Sequence, residues 1–203
     1  MIKFIYFDMG GVLLNFDFSN TANAITAQTG IDGQTVIEDL YTNYIDLWND
    51  FELGAVSPED FFDNINSIFH LSMSFDALKK AYNEIFTLKE DTFQLVKKLK
   101  EKGFPLGVLS NTSPPHWEYV QSTFPELFSQ FNVLIGSHEL HLAKPGRQIY
   151  LAAAQAAGVK PSEILFFDDL APNIAGAKAA GFDAVQFINA AQAEEELKAR
   201  NIL

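Results

Sequence analysis

Hydrophobic positions along this chain come in unbroken runs at some places and at helical spacing in others. Apolar runs rich in β-branched and aromatic residues, each ending in a polar or glycine-rich turn, occupy residues 2–8, 104–110, 133–136 and 164–169, with a fifth at 184–188. Between them lie stretches that predict helices: 91–102 closed by Gly103, 148–157 closed by Gly158, and 172–180 closed by Gly181. A last helix is expected over 190–199. Unrelieved apolar strands separated by helices predict an α/β fold with a parallel sheet covered on both faces, in which ligands bind at the carboxyl ends of the strands.

One segment breaks the alternation. Residues 18–86 contain no convincing strand and read as several helices. Within them, Ser57, Pro58 and Asp60 form a helix-start signature, followed by Phe61, Phe62, Ile65, Ile68 and Phe69 at helical spacing. The pattern predicts a helical insertion (18–86) after the first strand, with residues 1–17 and 87–203 forming the core.

Composition narrows the class. With 203 residues, 48% of them hydrophobic and 20% charged, the chain can bury a sizeable core. No apolar run approaches the roughly 18 residues of a membrane span. The short apolar N-terminus lacks the basic flank of a signal peptide, so a cytoplasmic location is expected. The absence of cysteine excludes disulfides, thiolate metal sites and cysteine nucleophiles. A formal charge of -12 argues against nucleic acid as a partner. The charge is also uneven: no Lys or Arg lies between Lys3 and Lys79, while acidic residues recur throughout that stretch. A ligand group touching it is not expected to be strongly anionic. Oligomeric state is left open.

The strand ends carry Asp8, then Ser110 and Asn111, then Lys144, then Asp168 and Asp169. Carboxylates converging at one sheet edge repel one another, so a cation is expected among them, and oxygen ligands of this kind suit magnesium. Lys144 offers a point charge for phosphoryl oxygens and Ser110 a hydroxyl donor. Such a set fits phosphoryl transfer with a carboxylate nucleophile.

The segments FDMGGVLL, VLSNT, AKPGRQIY and FFDDLAPNI resemble, in order, the four motifs of the haloacid dehalogenase superfamily. The resemblance implies a Rossmann-like three-layer core whose helical insertion is a small cap that closes over the site. It implies that Asp8 attacks phosphorus, Ser110 binds the transferred group together with Asn111, and Lys144 stabilises charge. Magnesium is then held by Asp8, the Gly10 carbonyl and Asp169, with Asp168 further from the ion. The family's phosphatases carry a second aspartate two residues after the nucleophile, as acid and base, and here that position is Gly10.

A positioned acid or base contributes about 10²- to 10⁴-fold in rate, so its absence needs an explanation. One is a leaving group that needs little help, such as the anomeric oxygen of a hexose 1-phosphate, and the pattern also resembles bacterial enzymes acting on glucose 1-phosphate. Another is proton donation by His116, expected in a loop near the same edge. A 2-haloacid dehalogenase is a different reading, but the resemblance then requires a cap arginine and no acidic pair, and the only arginines are Arg147 and Arg200. A module that binds magnesium and phosphate without turnover is the non-enzymatic alternative. Within the insertion, Tyr44, Trp48, Asn49 and Glu52 are spaced to present some side chains to the site, although aromatic residues at that spacing also serve as core.

Overall fold

The apolar runs become a five-stranded parallel sheet in a computed structural model that describes residues 1–203. Its strands are β1 (Phe4–Phe7), β4 (Leu106–Ser110), β5 (Val133–Gly136), β6 (Ile164–Asp168) and β7 (Asp183–Gln186), in the order β5-β4-β1-β6-β7. The central strand β1 pairs Ile5 with Leu106 on one side and with Leu165 on the other. All five expected strands are present, each within a few residues of its predicted bounds.

Successive side chains of a strand point to opposite faces, and the two faces bury separate cores. Ile5, Phe7, Leu106, Val108, Leu165 and Phe167 pack on one side with α6 (Glu90–Glu101), α7 (Pro114–Thr123) and α12 (Ala190–Ala199). Phe4, Tyr6, Leu109, Ile164 and Phe166 pack on the other with α10 (Arg147–Ala157) and α11 (Ala171–Ala179). The result is a helix–sheet–helix sandwich. The short helices α8 (Pro125–Phe128) and α9 (Ser137–Leu140) flank β5. Local signals set the helix ends. Acidic Glu90 and Asp91 begin α6 and Lys98 and Lys100 finish it, matching the helix dipole, and Gly158 closes α10 at φ 68°.

Five helices form a third apolar cluster of their own: α1 (Ser19–Thr29), α2 (Gly33–Thr42), α3 (Ile45–Glu52), α4 (Pro58–Phe69) and α5 (Phe75–Asn83). Ser57 caps α4 by accepting from Asp60 N–H, as its sequence signature predicts, and Ser74 caps α5 through Ala77 N–H. Phe51, Phe61, Phe62 and Tyr82 interlock at the centre. A feature not anticipated is an antiparallel ribbon of β2 (Leu14–Phe16) and β3 (Phe86–Leu88), where the chain leaves and re-enters the sandwich. Strands of three residues are too short to produce a readable alternation.

Candidate active site

Parallel strands bring all their carboxyl ends to one edge, and the predicted residues meet there. Asp8 directly follows β1, and its backbone N–H extends the ladder to Phe167 C=O at 2.8 Å. Ser110 ends β4, Asp168 ends β6 with Asp169 next, and Lys144 lies on the segment between α9 and α10. Carboxylate oxygens of Asp8, Asp168 and Asp169 lie within 4.8 Å of one another.

Lys144 sits between two of them. Its Nζ is 2.8 Å from Asp8 Oδ1 and 2.6 Å from Asp168 Oδ2, and its side chain is 1% exposed. Burial alone would lower its pKa, but the two carboxylates outweigh that and raise it, keeping the ammonium charged. Asp168 is fully committed: Oδ1 accepts from Leu170 N–H, and both oxygens accept from Asn173 Nδ2 at 3.0 and 3.1 Å. Asn173, buried in α11, therefore orients Asp168. Asp8 Oδ1 also accepts from Met9 N–H at 2.7 Å. Burial pushes the Asp8 carboxyl above the usual carboxylate range, against the pull of Lys144. Asp169 is half-buried, with its own backbone N–H as hydrogen-bond donor, and burial and then Asp168 raise its pKa. Its carboxylate lies where a Cβ on Gly11, at φ +72°, would come within 2.3 Å of Oδ2, so the loop after β1 needs glycine there.

Two predicted residues are placed differently from a simple ligand contact. Asn111 lines the cavity but also has an inward role: Nδ2 donates to Lys144 C=O and Oδ1 accepts from Lys144 N–H, both at 2.9 Å. It holds the lysine backbone in place. His116 is not in a loop but in the first turn of α7, buried, with its ring stacked on Tyr82 at 3.8 Å. Its Nε2 donates to Tyr82 C=O, and burial pushes its pKa down to about 3. The neutral ring has its one N–H already used, so it has no proton for a leaving group.

Asp8, Ser110, Lys144 and Asp169 line a cavity of about 660 Å³ between the sandwich edge and the five-helix layer, with Asp168 buried behind them. From the layer come Tyr41, Ile45, Trp48, Asn49 and Glu52, and from the ribbon Phe16 and Phe86. Tyr44 is not among them: it packs against Phe69 instead. Burial pushes the Glu52 carboxyl up to about 7, opposed by a hydrogen bond with Trp48 and by the charge of Lys144. One contributor escaped sequence reasoning altogether. Lys89 Nζ donates to Gly11 C=O at 2.9 Å and braces the loop after β1, but in sequence it is an ordinary lysine.

A carboxylate pair bridged by a buried lysine, with a further carboxylate beside it at the carboxyl edge of a parallel sheet, defines a hydrolase of the α/β class built for charge-stabilised transfer. A family model described as haloacid dehalogenase-like hydrolase matches residues 2–181, and the chain belongs to that family. It is 28% identical to D-ribitol-5-phosphate phosphatase of Bacteroides thetaiotaomicron, over 97% of each chain. Structures of a family enzyme from the same organism superpose well. One has a TM-score of 0.81 at 28% identity, over 91% of this chain and 93% of that one. Another, in complex with magnesium and inorganic phosphate, has a TM-score of 0.78 at 26% identity, over 92% and 94%. Similarity extends to (S)-2-haloacid dehalogenase of Pseudomonas putida, 32% identical over 64% of this chain and 59% of that protein. No helix is long and apolar enough to cross a membrane.

Proposed function

We propose that the protein is a magnesium-dependent phosphomonoesterase acting on a small neutral polyhydroxylated compound, with a hexose 1-phosphate as the first substrate to test. The observation that carries this reading is Lys144 bridging Asp8 and the buried Asp168, with Asp8, Lys144 and Asp169 facing one cavity. The donor set suits a hard divalent cation: Asp168 is spent on protein partners, while Asp169 and the unpaired oxygen of Asp8 remain for it, with the Gly10 carbonyl as a backbone ligand. Bound there, magnesium would neutralise phosphoryl charge and draw the phosphate toward the carboxylates.

The chain's own groups do the rest. Asp8 attacks phosphorus and becomes an aspartyl phosphate. Lys144 holds the Asp8 carboxylate in place and balances charge on the transferred group, and Ser110, at the end of β4, offers its hydroxyl to a phosphoryl oxygen. Water then releases phosphate and restores Asp8. The five-helix layer acts as a cap that excludes bulk water and offers the leaving group aromatic faces and the Asn49 amide, with no cation of its own. That favours a neutral leaving group. A dehalogenase reading finds no arginine in the cavity to hold a carboxylate substrate.

The test is phosphate release from a panel of hexose 1-phosphates, D-ribitol 5-phosphate, nucleotides and an aryl phosphate, with magnesium and then with excess chelator. Release should require magnesium and vanish in Asp8→Asn with the fold intact. Turnover surviving in Asp8→Asn would remove the mechanism; nucleotides outrunning the neutral sugars would remove the substrate class.

A further inference from the structure

We propose that Glu52, at the carboxyl end of α3, is the acid and base of the reaction, supplying from the helical layer the group that Gly10 lacks. The inference rests on the phosphomonoesterase reading above and deepens it.

The loop after β1 cannot supply the proton. Gly10 has no side chain, and the Phe16 ring stands 3.3 Å from where its Cβ would be. Six titratable groups line the cavity: Asp8, Tyr41, Glu52, His116, Lys144 and Asp169. Asp8, Lys144 and Asp169 have roles in attack, charge balance and cation binding. His116 has committed its N–H to Tyr82. Burial, followed by the charge of Glu52, raises the Tyr41 phenol far above neutrality. Glu52 remains.

Glu52 is also held in place by the core rather than by its own layer alone. Ser137 Oγ donates to Glu52 C=O, and His141 Nδ1 donates to Leu53 C=O at 2.8 Å. Gly54 packs so closely that a Cβ would come 2.8 Å from His138 C=O. These partners belong to the segment that follows β5, and Ser137 Oγ in turn accepts from Thr112 N–H, two residues after Ser110. The backbone that carries Glu52 is thereby referenced to the same edge as Ser110 and Lys144, and its side chain lines the cavity they share. Around it stand Trp48 on its own helix, Tyr41 on α2, Tyr82 on α5 and Lys144 from the core. Half-buried beside these aromatic rings, its carboxyl is pushed up to about 7 by desolvation, where it can both give and take a proton.

The steps balance. As Asp8 forms its bond to phosphorus, the bond from phosphorus to the leaving oxygen breaks, and that oxygen takes the Glu52 proton and departs as the alcohol. Glu52, now a carboxylate, accepts a proton from water as the water oxygen attacks the aspartyl phosphate. The bond from phosphorus to Asp8 breaks, its electron pair returns to the carboxylate, and Glu52 is protonated again.

The experiment compares wild type with Glu52→Gln on glucose 1-phosphate and on p-nitrophenyl phosphate, whose leaving group departs without a proton. On glucose 1-phosphate, phosphoryl transfer by the variant should fall about 10²- to 10⁴-fold with little change in KM. On p-nitrophenyl phosphate it should release one nitrophenol per site at the wild-type rate and then turn over about 10²-fold slower or worse, because hydrolysis of the aspartyl phosphate has lost its base. Transfer from glucose 1-phosphate by wild type should rise as Asp8 ionises and then decline as Glu52 loses its proton, and the variant should keep the rising limb and lose the declining one. A change confined to KM, or a folded variant without the burst, overturns the proposal. A wild type that releases phosphate from neither compound overturns the proposed function along with it, whereas an active wild type matched by the variant overturns this inference alone.

Discussion

At the scale of single residues, the acidic edge is organised by side chains that hold other side chains. Asn111 ties both ends of its amide to the backbone of Lys144, Asn173 spends Nδ2 on Asp168, and Lys89 braces the Gly11 carbonyl. Such outer partners typically affect metal affinity or activity 10- to 100-fold, because a loosely held ligand or nucleophile loses its geometry. Asn173→Ala should therefore lower turnover by about 10- to 100-fold while leaving Asp8 chemistry in place. Magnesium titration of phosphate release should show a matching rise in the concentration needed for half activity. An unchanged titration would mean that Lys144 alone is enough to orient Asp168. The identities at the strand ends were legible because few residue types suit that chemistry. The inward commitments of Asn111 and His116 were not, since an amide or an imidazole reads the same in sequence whether it faces a ligand or a neighbouring carbonyl.

Among elements, the helical layer owes its shape to close approach as well as to its aromatic centre. Gly33 opens α2 against α1, where a Cβ would lie 2.0 Å from Ala22 C=O. Backbone cannot yield as a flexible side chain can, so Gly33→Ala must separate the two helices. Overpacking of this kind costs about 1–3 kcal/mol. A lowered denaturant midpoint is the expected outcome, and because Tyr41 on α2 lines the cavity, KM should rise as well. An unaltered midpoint would show that the helices part without cost. Helices and buried strands could be placed from periodicity and caps, as with Ser57 at the start of α4 and Gly158 at the end of α10. The ribbon of β2 and β3 escaped because each strand has three residues and is stabilised by a partner about seventy positions away.

For the molecule as a whole, the acidic edge stores electrostatic repulsion that a bound cation relieves. Three carboxylates share one lysine within a few ångströms, in a chain of net charge -12. A cation that binds only the folded state stabilises it by mass action, by about 2.7 kcal/mol at 100 times its Kd. Magnesium should accordingly raise the melting temperature, and Asp169→Asn should weaken that shift while preserving the fold. No shift in wild type would argue that the cluster is satisfied without a metal.

What the amino-acid order determined by itself was the sequence of elements, the parallel α/β class, and the set Asp8, Ser110, Lys144, Asp168 and Asp169, because apolar run length and residue chemistry are local properties. Only the tertiary structure decided which of these groups are free. Folding placed Glu52 in the cavity, stacked His116 on Tyr82 and set the Phe16 ring beside Gly10. Those outcomes depend on contacts between residues far apart in the chain, and a hydrogen bond made inward removes a group from chemistry that its name alone would allow.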